Sequence, residues 1–149
     1  MDMGSQYRHT SHTTYSCLYH LVWITKYRKK ILKDDIGARC RDIIRQVCNQ
    51  EKVEILKGAI GPDHVHILLN VPPYLAISRI VQHLKGETSR KLQFEFPLLR
   101  KTFWGQHLWQ IGYFCATTGA ITEKTVRDYI AQQGKKEEDD DRTFVLMDG

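Results

Sequence analysis

Two rhythms of apolar residues run through this chain, one with the period of a strand and one with that of a helix. Tyr15 to Thr25 is rich in aromatic and β-branched residues and reads as a strand. Tyr15, Cys17, Tyr19, Leu21 and Trp23 fall on one of its faces, and Leu18, Val22 and Ile24 on the other. Apolar side chains on both faces suit a central strand. Ile36, Cys40, Ile43, Ile44 and Val47 then recur at helical spacing, with Asp34 or Asp35 placed to cap the helix. Val53 to Ile60 and Val65 to Val71 read as two further strands. The turn Gly61-Pro62-Asp63 joins them into a hairpin, and Pro72-Pro73 ends it. Ile77, Ile80, Val81 and Leu84 mark a second helix running on towards Phe94. A loop around Pro97 and Gly105 leads to a fourth strand, Leu108 to Thr117. Thr122 caps a last helix, Glu123 to Gln133, and Gly134 stops it.

The first six elements spell βαββαβ, the split βαβ pattern of ferredoxin-like folds. The expected fold is therefore α+β: an antiparallel sheet with helices on one face and the other face open, plus a C-terminal helix. A single core fits this length. Residues 15–134 form the expected domain, between a polar leader, 1–14, and an acidic tail, 135–149, that should be mobile.

Charge adds a partner class. The net charge is +5, yet residues 135–149 hold three basic and six acidic residues, a local −3 that leaves +8 on residues 1–134. A basic body suggests a polyanion, although a solvated lysine-rich surface explains the charge equally well. No stretch has the apolar length of a membrane span, and residues 1–14 lack a secretory segment, so the cytoplasm is expected. Cys17, Cys40, Cys48 and Cys115 have no CxxC spacing, which argues against a zinc ribbon or redox pair.

The sharpest local chemistry is His64-Val65-His66. Residues two apart on a strand share a face, so the imidazoles project side by side while Val65, Ile67 and Leu69 point to the helices. Two imidazoles on the open face make half of a metal site. Tyr129 and Gln133 are a turn apart on the last helix. They offer a phenolic nucleophile and a carboxamide oxygen able to ligate a metal. Packing is the competing account, since Val126, Tyr129, Ile130 and Gln133 also follow the spacing of an ordinary amphipathic helix.

A histidine–apolar–histidine strand followed by a Tyr-x-x-x-Gln helix resembles the HUH single-strand nucleases. More narrowly, the chain is similar to the TnpA-type transposases of small bacterial and archaeal insertion sequences, which have a single catalytic tyrosine. The likeness runs from about Tyr19 to Gln133. It includes His20-Leu21-Val22-Trp23, Lys26-Tyr27-Arg28, Pro62-Asp63-His64-Val65-His66, Leu84-Lys85-Gly86, Phe103-Trp104-Gly105 and Leu108-Trp109. The resemblance implies a homodimer acting on single-stranded DNA with hairpins at the element ends, with active sites shared between subunits. By matching position, Tyr129 is the nucleophile, and His64, His66 and Gln133 are the metal ligands.

A free phenol has a pKa of roughly 10 and is a weak nucleophile at neutral pH. A divalent ion, Mg²⁺ or Mn²⁺, would polarise the phosphodiester that it attacks. The expected intermediate is a 5′-phosphotyrosine with a free 3′-hydroxyl, which a second 3′-hydroxyl resolves without ATP. Arg28, Lys29, Lys30, Arg79, Lys85, Arg90 and Lys91 are candidates to neutralise phosphates, unless they are simply solvated. Trp104, His107 and Trp109 are candidates to stack on bases, against core packing for the tryptophans. His20 supports the site from behind or is a satisfied core histidine; the latter is the more ordinary fate. Two alternatives stay open: a domesticated relative that processes chromosomal palindromic repeats, and a non-catalytic nucleic-acid-binding module on the same fold.

Overall fold

A computed structural model describes residues 7–104, 106–117 and 124–133. A small hairpin opens the described chain: β1 (Arg8–His9) pairs antiparallel with β2 (Thr14–Tyr15). The main elements are β3 (Leu18–Ile24), α1 (Asp34–Gln50), β4 (Glu54–Gly61), β5 (His64–Asn70), α2 (Ile77–Glu95), α3 (Pro97–Phe103) and β6 (Phe114–Thr117). A last helix, α4, covers residues 124–133.

The sheet order is β4-β5-β3-β6, with every neighbouring pair antiparallel. This is the split βαβ connectivity that the strand and helix rhythms predict. β3 is central, as its two apolar faces require. Leu21 and Trp23 on β3 and Val65, Ile67 and Leu69 on β5 face α1 and α2, where they meet Ile43, Ile44, Val47, Ile80 and Leu84 in one buried cluster. Each such fully buried aliphatic side chain contributes about 1.5–3 kcal/mol. Cys40 and Cys48 lie in the same cluster, and burial pushes both thiols up to about 12, so they stay protonated.

Four expectations need correction. The other face of the sheet is not wholly open. Val126 and Ile130 of α4 cover Val22 and Ile24 of β3, with Phe114 and Tyr129 packed alongside. Second, the stretch expected as a loop around Pro97 contains α3, because Pro97 at its first position is preset for a helix and Leu99 and Phe103 bury on one side. Third, the last sheet strand is only Phe114–Thr117. Trp109 makes a lone bridge to Thr25, closed by the Gln110 N–H donating to the Ile24 carbonyl, and residues 111–113 leave the ladder. Fourth, Asp34 and Asp35 do not cap α1. They sit inside its first turn, behind Lys33 as the capping position, where their charge meets the positive end of the helix dipole. The cap expected at Thr122 and the acidic tail lie outside the described residues.

Candidate active site

The β4–β5 hairpin builds the site. β4 and β5 face each other from Gly61↔His64 through Ala59↔His66, and β3 lies on the far side of β5 with Val22↔His66 and Ile24↔His64. Alternation therefore sends His64 and His66 to the face away from α1 and α2, as expected. That half of the sheet is left uncovered by α4, and a cavity of about 430 Å³ opens over it. His20, His64 and His66 line its floor, and Val126, Arg127 and Ile130 of α4 form one wall.

Asp63 orients His64. The Nδ1–H of His64 donates to Oδ1 of Asp63 at 2.8 Å, and Nε of Arg28 donates to Oδ2 at 3.1 Å. Desolvation of the buried Asp63 opposes ionisation, but the bonds from His64 and Arg28 prevail and hold its carboxyl below the usual range. With Nδ1 committed to the carboxylate, the unprotonated nitrogen of His64 is Nε2, the form in which an imidazole ligates. Room for the ring comes from Gly61, where an added Cβ would run into the imidazole of His64.

His20 is not a core histidine. It sits half-buried on the same face, with its Nδ1 3.3 Å from Nε2 of His66. This is the diagonal cross-strand contact, since His20 stands opposite Leu68, two residues along from His66. Burial first, then the Lys57 charge, depresses the pKa of His20. His66 is likewise depressed, by burial and then by the charges of His20, His64 and Lys57. Both rings are thus kept neutral near pH 7. Period-two spacing put His20 on the side of Leu18 and Val22, which was the available signal that it shares the histidine face.

Tyr129 and Gln133 lie on a different flank of α4 from the cavity wall. The Tyr129 ring packs 5.4 Å from that of Phe114 on β6, and the Gln133 carboxamide oxygen accepts from Gln110 at 3.0 Å. The structure therefore brings the histidine pair together, and Tyr129 with Gln133, but not Tyr129 into the lining of its own chain's histidine cavity. Among the described residues, no group of three His, Cys, Asp or Glu side chains is placed to hold a metal. Two imidazoles with a free Nε2 on His64 would need further oxygen ligands to complete a site for a divalent ion.

The expected DNA contacts divide. Trp109 is buried at 3 % exposure, edge-on to Trp23 at 5.9 Å, with Nε1–H donating to Thr88 Oγ1 at 2.8 Å. It is a core residue and is not placed to stack on a base. Lys85 is turned inward as well. Its ammonium donates to the carbonyls of Gln110 (2.8 Å) and Gly112 (2.9 Å), holding residues 110–112 in place of a strand ladder. Burial lowers its pKa to about 8. Arg28 is tied to Asp63, and Arg90 and Lys91 pair with Glu87. Lys29, Lys30, Arg79, His107 and Trp104 remain exposed, Trp104 at 86 %. Residues that sequence reasoning missed are Asp63, Gly61 and Lys57, the first two because a Gly-Pro-Asp turn explains them by itself.

The fold and site define an α+β protein with a histidine pair on the uncovered half of its sheet and a tyrosine-bearing helix over the other half. The chain belongs to the IS200-like transposase family, whose model matches residues 13–133. It is 35% identical over 123 residues to the ISDra2 transposase TnpA of Deinococcus radiodurans, covering 83% of this chain and 88% of that one. It is 34% identical over 131 residues to the transposase for insertion sequence element IS200 of Salmonella typhimurium, covering 88% and 85%. A crystal structure of a candidate transposase from D. radiodurans R1 superposes with TM-score 0.78 at 33% identity, over 85% of this chain and 97% of that one. The fold is shared more distantly with a REP-associated tyrosine transposase bound to a REP hairpin, at TM-score 0.54 and 15% identity, over 82% of this chain and 67% of that one. Among the described residues, no helix is long and apolar enough to cross a membrane.

Proposed function

We propose that this transposase cleaves and rejoins single-stranded DNA at the ends of an insertion sequence, with Tyr129 as nucleophile. The observation that carries the reading is the cavity-lining pair His64 and His66, with His64 locked by Asp63 so that Nε2 is free. His64, His66 and Gln133 would hold Mg²⁺ or Mn²⁺. When bound, such an ion polarises the scissile phosphodiester and stabilises the charge that develops on it.

The chain's own residues do the rest. The Tyr129 oxygen attacks phosphorus, the phenolic proton is lost, and the bond to the 3′-oxygen breaks. That oxygen takes up a proton and leaves as a 3′-hydroxyl, with the 5′-phosphate held on Tyr129. Attack by another 3′-hydroxyl reverses the bookkeeping and frees the phenol. Tyr129 and Gln133 occupy the flank of α4 turned towards β6 and Gln110, away from their own cavity. This supports a homodimer in which they serve the histidine pair of the second copy.

The insertion-sequence reading draws on relatives at about a third identity, and the hairpin on the REP-bound neighbour. A single-stranded oligonucleotide spanning the element end, incubated with protein and Mn²⁺, should give a protein–DNA adduct on a denaturing gel. Tyr129→Phe should abolish it. Absence of any Tyr129-dependent adduct with the flanking DNA would sink the proposal.

A further inference from the structure

Every charged group lining the histidine cavity is a cation. Lys57 stands at its β4 edge and Arg127 on its α4 wall, and no carboxylate is among the described residues that line it. Elsewhere on the surface, Arg8, Arg39, Arg90 and Lys124 each have an acidic partner within 4 Å, whereas Lys29, Lys30 and Lys101 are exposed without one among the described residues. Lys57 and Arg127 have none among the described residues.

The backbone puts Lys57 there through an irregularity. Glu54 and Ile55 pair with Asn70 and Leu69, and then the register shifts, so that Lys57, not Leu56, stands opposite Leu68. The extra residue, Leu56, is left 45 % exposed. Without this bulge, a strict two-residue alternation could not send Ile55 to the core and Lys57 to the histidine face of the same strand. Beyond Lys57, β4 shows the cavity only Gly58 and Ala59, and Leu68 of β5 stands opposite Lys57. Two cations that face one cavity with no carboxylate among its described lining gain from an anion seated between them.

We infer that Lys57 and Arg127 are a phosphate-binding pair that holds a phosphodiester of single-stranded DNA over His64 and His66. The inference rests on the proposed function, because it takes the anion to be the DNA backbone at the site of cleavage.

The test uses the 149-residue chain with Tyr129→Phe, which lacks the proposed nucleophile, and a fluorescein-labelled single-stranded oligonucleotide spanning the element end. Anisotropy is read from 50 to 300 mM NaCl without added metal. Each lost phosphate contact flattens the slope of log K against log salt by roughly 0.7 for a single strand. Lys57→Met should flatten it by about that amount and Lys57→Met/Arg127→Gln by about twice as much. Lys101→Met, an exposed control on α3, serves as the reference for an unspecific charge. A methylphosphonate at the scissile position should weaken the reference protein several-fold and the double variant hardly at all. If the double variant keeps the slope and affinity of the control, and still feels the methylphosphonate, the inference is overturned while the proposed function stands. If protein with Tyr129 intact forms no adduct, the proposed function falls and takes the inference with it.

Discussion

His64 donates from Nδ1 to the carboxylate of Asp63 at 2.8 Å, and Asp63 is itself only 6 % exposed. A buried carboxylate held by two donors is a rigid anchor, so the direction of His64 is set before any ligand arrives. Asp63→Asn keeps the size but loses the charge and weakens both bonds. Mn²⁺ affinity, followed by the loss of free-ion signal in electron paramagnetic resonance, should fall about 10- to 100-fold. Unchanged affinity would mean that Asp63 serves only the turn.

Gly61 tests the same anchor from the opposite strand. An added methyl group would occupy the space of the His64 ring. Gly61→Ala should therefore push the imidazole off Asp63 while leaving the strand, whose backbone here tolerates any residue, intact. Adduct formation should drop at least tenfold and the melting temperature move little. Full activity in Gly61→Ala would show that the ring adapts.

His20 and His66 both titrate below the ordinary 6.5 of a histidine, chiefly through burial. The folded state thus resists a proton that the unfolded chain accepts. The stability tied to these rings is complete above pH 6.5 and is lost as the pH falls through the lower, folded-state values. NMR titration of the apo protein should place both midpoints under 6.5. Lys57→Met should move the His66 midpoint upward, because the lysine charge is one of its depressing influences. A downward or absent response would deny that Lys57 faces the ring.

Much of this architecture was legible in the residue pattern, for definite reasons. Alternation in His64–Leu69 and the double-faced apolar strand around Trp23 are constraints that burial enforces, so the central place of that strand and the face of the histidines follow from them. Side chains with two possible employments were not decidable. Trp109 and Lys85 have the composition of DNA contacts, but one fills the space beside Trp23 and the other closes a break in the ladder at Gln110 and Gly112. Whether an amphipathic residue packs or projects depends on the path of a segment that lacks any period, and residues 110–113 have none. Lys57 was hidden for a related reason: its face depends on a bulge that the sequence does not announce.

The two inward-turned residues, Trp109 and Lys85, and the exposed Trp104 have different experimental signatures. Trp109→Ala should cost about 3–5 kcal/mol of stability, as for other buried tryptophans. Lys85→Met should cost about 1–3 kcal/mol by stranding two carbonyls. Trp104→Ala, at an 86 % exposed position, should change stability by less than about 0.5 kcal/mol. Urea unfolding of the three variants decides the matter. A Lys85→Met variant of unchanged stability and weakened DNA binding would restore the lysine to the DNA surface.

The placement of Tyr129 against Phe114, on the flank of α4 away from the cavity wall, makes a prediction about assembly. Suppose that each histidine pair is served by the tyrosine of the other copy. Co-expressing His66→Ala with Tyr129→Phe then produces heterodimers in which one site has lost both groups and the other has kept both. Random pairing leaves roughly a quarter of all sites competent, although each variant alone is inactive. If Tyr129 instead serves the histidines of its own chain, every site in the mixture lacks one group and no adduct forms. The gel assay separates the two cases without ambiguity about folding, because both variants are present in both. Recovery of adduct, carried on the His66→Ala chain since only that chain retains Tyr129, would establish the shared site. Complete silence from a mixture shown to contain heterodimers would place the reaction within one subunit, and α4 would then have to turn over the sheet to bring Tyr129 past Val126 and Ile130.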